Sequence, residues 1–82
     1  MAMNDAEIRS HIESLVDEEH RLLEHGERGK LSDDDRDRLQ AISVHLDQYW
    51  DLLRQRRARR DAGQDPGVAH MRSEETVEHY RQ

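Results

Sequence analysis

The clearest indication of the fold is the stretch LDQYWDLLRQRRARRDAGQDP, residues 46–66. It begins as an apolar helical stripe, continues into a block of arginines and ends at a glycine and a proline, residues that terminate helices. Five arginines lie within seven residues of a chain whose net charge is −6: Arg54, Arg56, Arg57, Arg59 and Arg60. Residues 46–62 are therefore predicted to be the C-terminal half of a helix that concentrates positive charge, with Gly63 and Pro66 beyond its end.

Upstream of residue 46 the same apolar stripe extends for two more turns. Leu39, Ile42, Leu46, Tyr49 and Leu53 follow the three–four spacing of a heptad, with Trp50 beside them. Ser32 is a suitable N-cap, and the three aspartates after it place negative charge where the helix dipole favours it. The sequence predicts one long helix over about residues 33–62.

A second amphipathic pattern precedes this helix. Ile8, Ile12, Leu15, Glu19 and Leu22 recur at spacings of four, three, four and three, which is one face of a helix. Asn4 and Glu7 have the spacing of a capping box, and Gly26 is the expected stop. The first helix is predicted over about residues 5–25.

The short loop between the helices predicts an all-α fold, an antiparallel two-helix hairpin. Two helices bury only one seam, so we expect the hairpin to pair into a homodimer, a four-helix bundle. The candidate bundle core is Ile8, Ile12, Leu15, Leu22, Leu39, Ile42, Leu46, Tyr49, Trp50 and Leu53. Residues 63–82 are predicted to be a polar linker followed by a short C-terminal helix or tail, with Ser73 as its cap.

This C-terminal segment is too short to be stable alone, so it is expected to be frayed or docked. A strip on the back of the second helix offers a docking site away from the main seam. The strip consists of Ala41, Val44, Gln48, Leu52 and Gln55.

Composition limits the class of protein. With 82 residues, 33% hydrophobic and 39% charged, the chain forms one domain at most and has a small core. It has no cysteine, which excludes disulfides and thiolate metal sites. No stretch approaches the roughly 20 apolar residues that cross a bilayer, and residues 1–5 do not begin a signal peptide, so no membrane association and cytoplasmic residence are expected.

The arginine cluster, Arg54 to Arg60, has two interpretations. Arg57 and Arg60 project onto the continuation of the apolar stripe, where they would meet Asp5 and Glu7 of the first helix, or Glu74, Glu75 and Glu78 of the tail. Alternatively the five guanidinium groups bind phosphates of a nucleic acid. The acidic net charge and the single tryptophan make internal pairing, or docking on an acidic protein surface, the favoured interpretation.

The sequence offers little catalytic chemistry. Facing Glu-x-x-His motifs and histidine pairs four residues apart are both lacking, so no metal site is predicted and Glu19 is interpreted as a register-setting or rim residue rather than a ligand. The loop around Gly26 and Gly29 does not match a phosphate-binding loop. No serine lies in a setting that would make it a nucleophile. We predict no catalytic residues, no cofactor and a protein that is not an enzyme.

Residues 46–66, together with IESLVDEEHRLLE at 12–24 and SEETVEHYRQ at 73–82, resemble a family of small actinobacterial proteins, Domain of Unknown Function 2630. The resemblance implies a compact helical protein of the bacterial cytosol. It brings no activity, cofactor or site residue that could be transferred to this chain. The sequence therefore favours a non-enzymatic interaction or self-assembly module, with a nucleic-acid-binding accessory protein as the alternative.

Overall fold

The computed structural model describes residues 3–79, and these form two long helices and two short ones. Helix α1 spans Asp5–Glu27, and α2 spans Asp33–Asp61; a single 3-10 turn covers Pro66–Val68 and α3 covers Glu74–His79. The described residues contain no strand, so the all-helical prediction is confirmed. The predicted helices, about 5–25 and 33–62, lie close to the observed bounds.

Side-chain caps fix where both long helices begin. The Asn4 side chain accepts a hydrogen bond from the Glu7 backbone N–H at 2.8 Å, and the Glu7 side chain accepts one from the Asn4 N–H at 3.3 Å. Ser32 Oγ accepts from the Asp35 N–H at 3.0 Å. These bonds satisfy backbone donors that have no partner within the helix.

Gly26 does not stop α1, contrary to the prediction. The helix continues through Glu27, and Arg28 is its C-cap. A Cβ atom at position 26 would lie 2.8 Å from Leu31 Cγ, so glycine here allows the leucine of the loop to pack closely against α1. The left-handed glycine of the chain is Gly63, at φ 73°, directly after α2 and its C-cap Ala62.

The hairpin buries its core towards the open end. Ile8, Ile12, Leu52 and Ala69 form one buried cluster, and Ile42 of α2 is also fully buried. Other predicted core residues are half-buried in the single chain: Leu15, Leu22, Leu39, Leu46, Tyr49 and Leu53. Trp50 is 45% exposed, so it lies outside the core that residues 3–79 form.

The C-terminal segment is docked along α2. We call residues 69–73 the strap; they run extended between the 3-10 turn and α3. Gln48 Nε2 donates to the Arg72 carbonyl at 3.1 Å and Gln55 Nε2 donates to the His70 carbonyl at 2.8 Å. Beyond the strap, α3 packs on α2 and buries Val77, which is 4% exposed. The predicted strip on the back of α2 is the surface that receives it.

Candidate interaction surface

A single carboxylate at the start of α1, that of Asp5, binds two of the five arginines of the cluster. Arg56 Nε and Arg60 Nη2 each bind one oxygen of Asp5 at 2.5 Å. Arg56 also donates to the Pro66 carbonyl at 3.1 Å, and its side chain is only 11% exposed. Arg59 is bonded to Gln64 Oε1 at 3.3 Å. Three of the five arginines are therefore engaged within the chain.

These ion pairs lower the pKa of Asp5 below its ordinary value of 3.8. The hydrogen bond from Arg56 is the largest cause, partial burial opposes it, and Arg60 adds a further hydrogen bond. Asp5 also lies in the first turn of α1, where the helix dipole favours negative charge.

The prediction that Arg57 continues the apolar seam is wrong. The seam steps three residues from Leu53 to Arg56 and then four to Arg60, which preserves the heptad spacing. Glu7, expected near the arginines, is instead used in the capping box. The tail reaches α2 through a cation, since Arg72 lies 3.6 Å from Asp51. Arg57 is exposed and takes part in none of the ion pairs among residues 3–79.

Arg57 and Arg54 line a shallow groove at the open end of the hairpin. We call this the arginine groove; it has a volume of about 330 Å³ and is lined by Asp5, Arg9, Trp50, Leu53, Arg54, Arg57 and Arg60. Within residues 3–79, the side chains of Arg9, Arg54 and Arg57 have no hydrogen-bond or ion-pair partner, and all three are exposed. An exposed indole thus shares the groove with three guanidinium groups that have no partner among the described residues.

Sequence reasoning did not single out Arg9. The available signal is the antiparallel pairing, because contact between Asp5 and Arg60 places the next turn of α1 beside Leu53 and Arg54. An arginine there adds to the positive charge of α2, although it lies 45 residues away in the chain.

On the opposite side of the hairpin, side chains of the two helices contact one another around a second shallow groove. His11 stacks on Tyr49 with ring centroids 5.2 Å apart and an angle of 3° between the planes. Arg38 binds both oxygens of Glu18, at 2.5 and 2.6 Å. The hydrogen bond from Arg38 lowers the pKa of Glu18. On this side Arg38 and Glu18 are paired, whereas in the arginine groove Arg9, Arg54 and Arg57 have no ion-pair partner within residues 3–79.

Two buried aspartates were not predicted. Asp47 and Asp51 are both buried on α2, and Asp51 accepts a hydrogen bond from Gln55 at 2.9 Å in addition to facing Arg72. Their neighbours Gln48 and Gln55 were assigned to the docking strip, and the two aspartates extend that strip with polar groups. Of the two, Asp51 contacts the strap, through Arg72.

The described residues contain no group of three or more histidine, aspartate or glutamate side chains placed to hold a metal ion. Glu19, interpreted from the sequence as a register or rim residue, is half-buried on α1. No helix between residues 3 and 79 combines the length and the apolar character needed to cross a bilayer.

Comparison with known proteins gives one family. The model of the family described as "Protein of unknown function (DUF2630)" matches residues 4–82. The chain belongs to the DUF2630 family. Uncharacterized proteins of Mycobacterium bovis and of two strains of Mycobacterium tuberculosis are each 44% identical to it over 77 residues, covering 93% of this chain and 88% of each relative. No solved structure gives a significant match. The family resemblance inferred from the sequence is confirmed.

Proposed function

We propose that this DUF2630 protein is a non-enzymatic, self-associating interaction module of the bacterial cytosol, with the arginine groove as part of its interface. The observation that supports the proposal is the 45% exposure of Trp50, in a groove shared with three arginines that have no partner within residues 3–79. Tryptophan and arginine are the side chains that dominate binding energy when an interface buries them. A protein surface with apolar and acidic groups is the complement of this groove.

The chemistry of the groove supports binding over catalysis. Asp5 is the one carboxylate that lines it, and two guanidinium groups already hold that carboxylate in its ionised form. A lowered pKa makes Asp5 a weak general base at neutral pH. The other charged groups of the groove are arginines, which do not exchange protons in this range. The lining therefore suits recognition of anions.

Self-association follows from the area that a single hairpin leaves uncovered. An aromatic side chain buries about 150–250 Å² when it is fully packed, and the side of α2 carrying Trp50 gains this only from another molecule. The sequence pattern predicts the same outcome, a four-helix bundle formed by two hairpins.

Tryptophan fluorescence reports directly on the environment of Trp50, because it is the only tryptophan of the chain. We expect its fluorescence emission to shift to the blue as concentration rises, in parallel with a dimeric mass in sedimentation velocity. Trp50→Ala is expected to sediment as a folded monomer at concentrations where the wild type is dimeric. A wild type that stays monomeric, with the emission of a hydrated indole at every concentration, would contradict self-association.

One observation also favours a second candidate function, nucleic-acid binding: three unpaired arginines surround an aromatic ring on which a base could stack. The net charge of −6 opposes it. A titration with single-stranded DNA and RNA at low salt separates the two, and we expect no binding. Affinity that falls steeply with added salt and is lost in Arg54→Gln/Arg57→Gln would assign the groove to nucleic acid instead.

A further inference from the structure

The arginine groove is one end of a longer face of the hairpin. On α1, Arg9, Val16 and Leu23 follow one another at intervals of seven residues, so they share one side of the helix. On α2, Ser43 and Arg57 lie seven residues before and after Trp50. We call the side that carries these two rows the groove face.

The other end of the groove face carries the second exposed apolar side chain. Leu23 is 47% exposed, about as much as Trp50. Arg9 and Leu23 are separated by 14 residues, or roughly 21 Å along α1, so the groove face has one uncovered apolar anchor near each end.

The net charges around the two anchors are opposite, although the α2 row also carries one cation, Arg36, at the Leu23 end. Glu19 and Glu27 lie one turn before and one turn after Leu23 on the same side of α1. Neither carboxylate has a hydrogen-bond or ion-pair partner within residues 3–79. The Trp50 end has unpaired cations at Arg9, Arg54 and Arg57. If a second copy is rotated by 180°, the acidic end of its groove face therefore meets the basic end of the first copy's groove face.

From this complementarity, and resting on the proposed self-association, we infer that the partner is a second copy docked antiparallel across a two-fold axis. In this register Trp50 packs on the partner subunit's Leu23. Arg54 and Arg57 face the acidic residues that flank that leucine. Two-fold symmetry repeats each contact, so both apolar anchors and both charged ends are used. A parallel arrangement would instead place the arginines of the two copies together.

Reciprocal charge reversal tests the register. One variant carries Arg54→Glu and Arg57→Glu, and the other carries Glu19→Arg and Glu27→Arg. Each homodimer then opposes like charges, and we expect its dissociation constant to rise at least about tenfold. An equimolar mixture restores opposite charges at both ends of the heterodimer, so its dissociation constant is expected to return to within a few-fold of the wild-type value.

The matched control reverses two other exposed acids of α1. Asp17→Arg/Glu24→Arg changes the net charge by the same amount but lies on a different side of the helix from Leu23. Mixed with Arg54→Glu/Arg57→Glu, it should not restore association. Circular dichroism verifies that each variant is helical.

A crosslinking experiment addresses the same contact without altering charge on both sides. The chain has no cysteine, so Leu23→Cys mixed with Arg54→Cys is expected to give a disulfide-linked heterodimer in high yield. Restoration in the mixture together with this crosslink supports the register. If the wild type is dimeric but the mixture neither restores association nor forms the crosslink, the register is wrong and self-association still holds. If the wild type is monomeric, both the register and self-association are wrong.

Discussion

Asp5, a single residue at the start of α1, links that helix to the arginine cluster at the end of α2. Its carboxylate binds Arg56 and Arg60, which lie 51 and 55 residues later, and thereby fixes the start of α1 against the end of α2. The sequence predicted that acids at this end would meet the arginine cluster, because a short loop makes the helices antiparallel. It could not predict which arginines bind, since a shift of one residue rotates a side chain by about 100°.

We expect Asp5→Asn to destabilise the fold by about 1–3 kcal/mol, because Arg56 would remain largely buried without its carboxylate. Urea denaturation measures the loss. Asp33→Asn is the matched control, since Asp33 occupies the same first position of α2 but has no side-chain partner within residues 3–79. It should cost no more than about 1 kcal/mol. Equal costs would mean that only the helix dipole matters.

The same pair of proteins has a defined pH dependence. Because the folded-state pKa of Asp5 is lowered, its contribution is fully present above its ordinary value of 3.8 and is lost as pH falls through the lowered folded-state value. The stability difference between wild type and Asp5→Asn should therefore be constant from neutral pH down to about pH 5 and shrink below about pH 4. A difference that grew on acidification would contradict the ion pairs.

At the scale of elements, the strap shows what periodicity can and cannot predict. The strip that receives the strap was identifiable, because Val44, Gln48 and Gln55 share one side of α2 away from the seam with α1. Leu52, assigned to the same strip, lies at its edge and packs with Ile8 and Ile12 as well as with Ala69. Docking itself was not predictable. Gln48 and Gln55 bond to backbone carbonyls, and the position of those carbonyls depends on the path of the chain after α2, which no side-chain pattern records.

We expect Gln48→Ala/Gln55→Ala to release the strap while leaving the hairpin folded. Each lost hydrogen bond is worth about 0.5–1.5 kcal/mol, and the six-residue helix α3 is too short to be stable without docking. Amide hydrogen exchange should show faster exchange in residues 70–79 and little change in α1. Arg36→Ala, at an exposed position of the same helix, is the control and should leave exchange in the strap unaltered.

The heptad spacing predicted the hairpin as a whole. The small size of its core explains why apolar side chains remain partly exposed in a single chain. The predicted seam contains residues that are only half-buried in one chain, and Trp50 lies outside it. Sequence reasoning grouped Trp50 with the core because the spacing cannot distinguish a face covered by the same chain from one covered by another. The placement of Trp50 among Arg9, Arg54 and Arg57 required the three-dimensional structure.

If a second copy completes the core, stability depends on concentration. The melting temperature of the wild type should rise over a hundredfold increase in concentration, since dimerisation stabilises only the folded chain. For Trp50→Ala, the melting temperature should be independent of concentration. At concentrations low enough for both proteins to be monomeric, their free energies of unfolding should differ by less than the roughly 3–5 kcal/mol typical of truncating a buried tryptophan. The reason is that the indole is half-exposed in one chain. A wild-type melting temperature independent of concentration would argue against the dimer.

The way the strap is held has a consequence for sequence variation. The glutamines of α2 bind the carbonyl oxygens of His70 and Arg72, atoms that every amino acid possesses, and the side chains of His70 and Met71 are exposed. Most substitutions at these two positions would therefore keep the attachment, whereas Gln48 and Gln55 have few substitutes that reach the same atoms. Within the family, new surface chemistry could be introduced on the strap without altering how it is anchored.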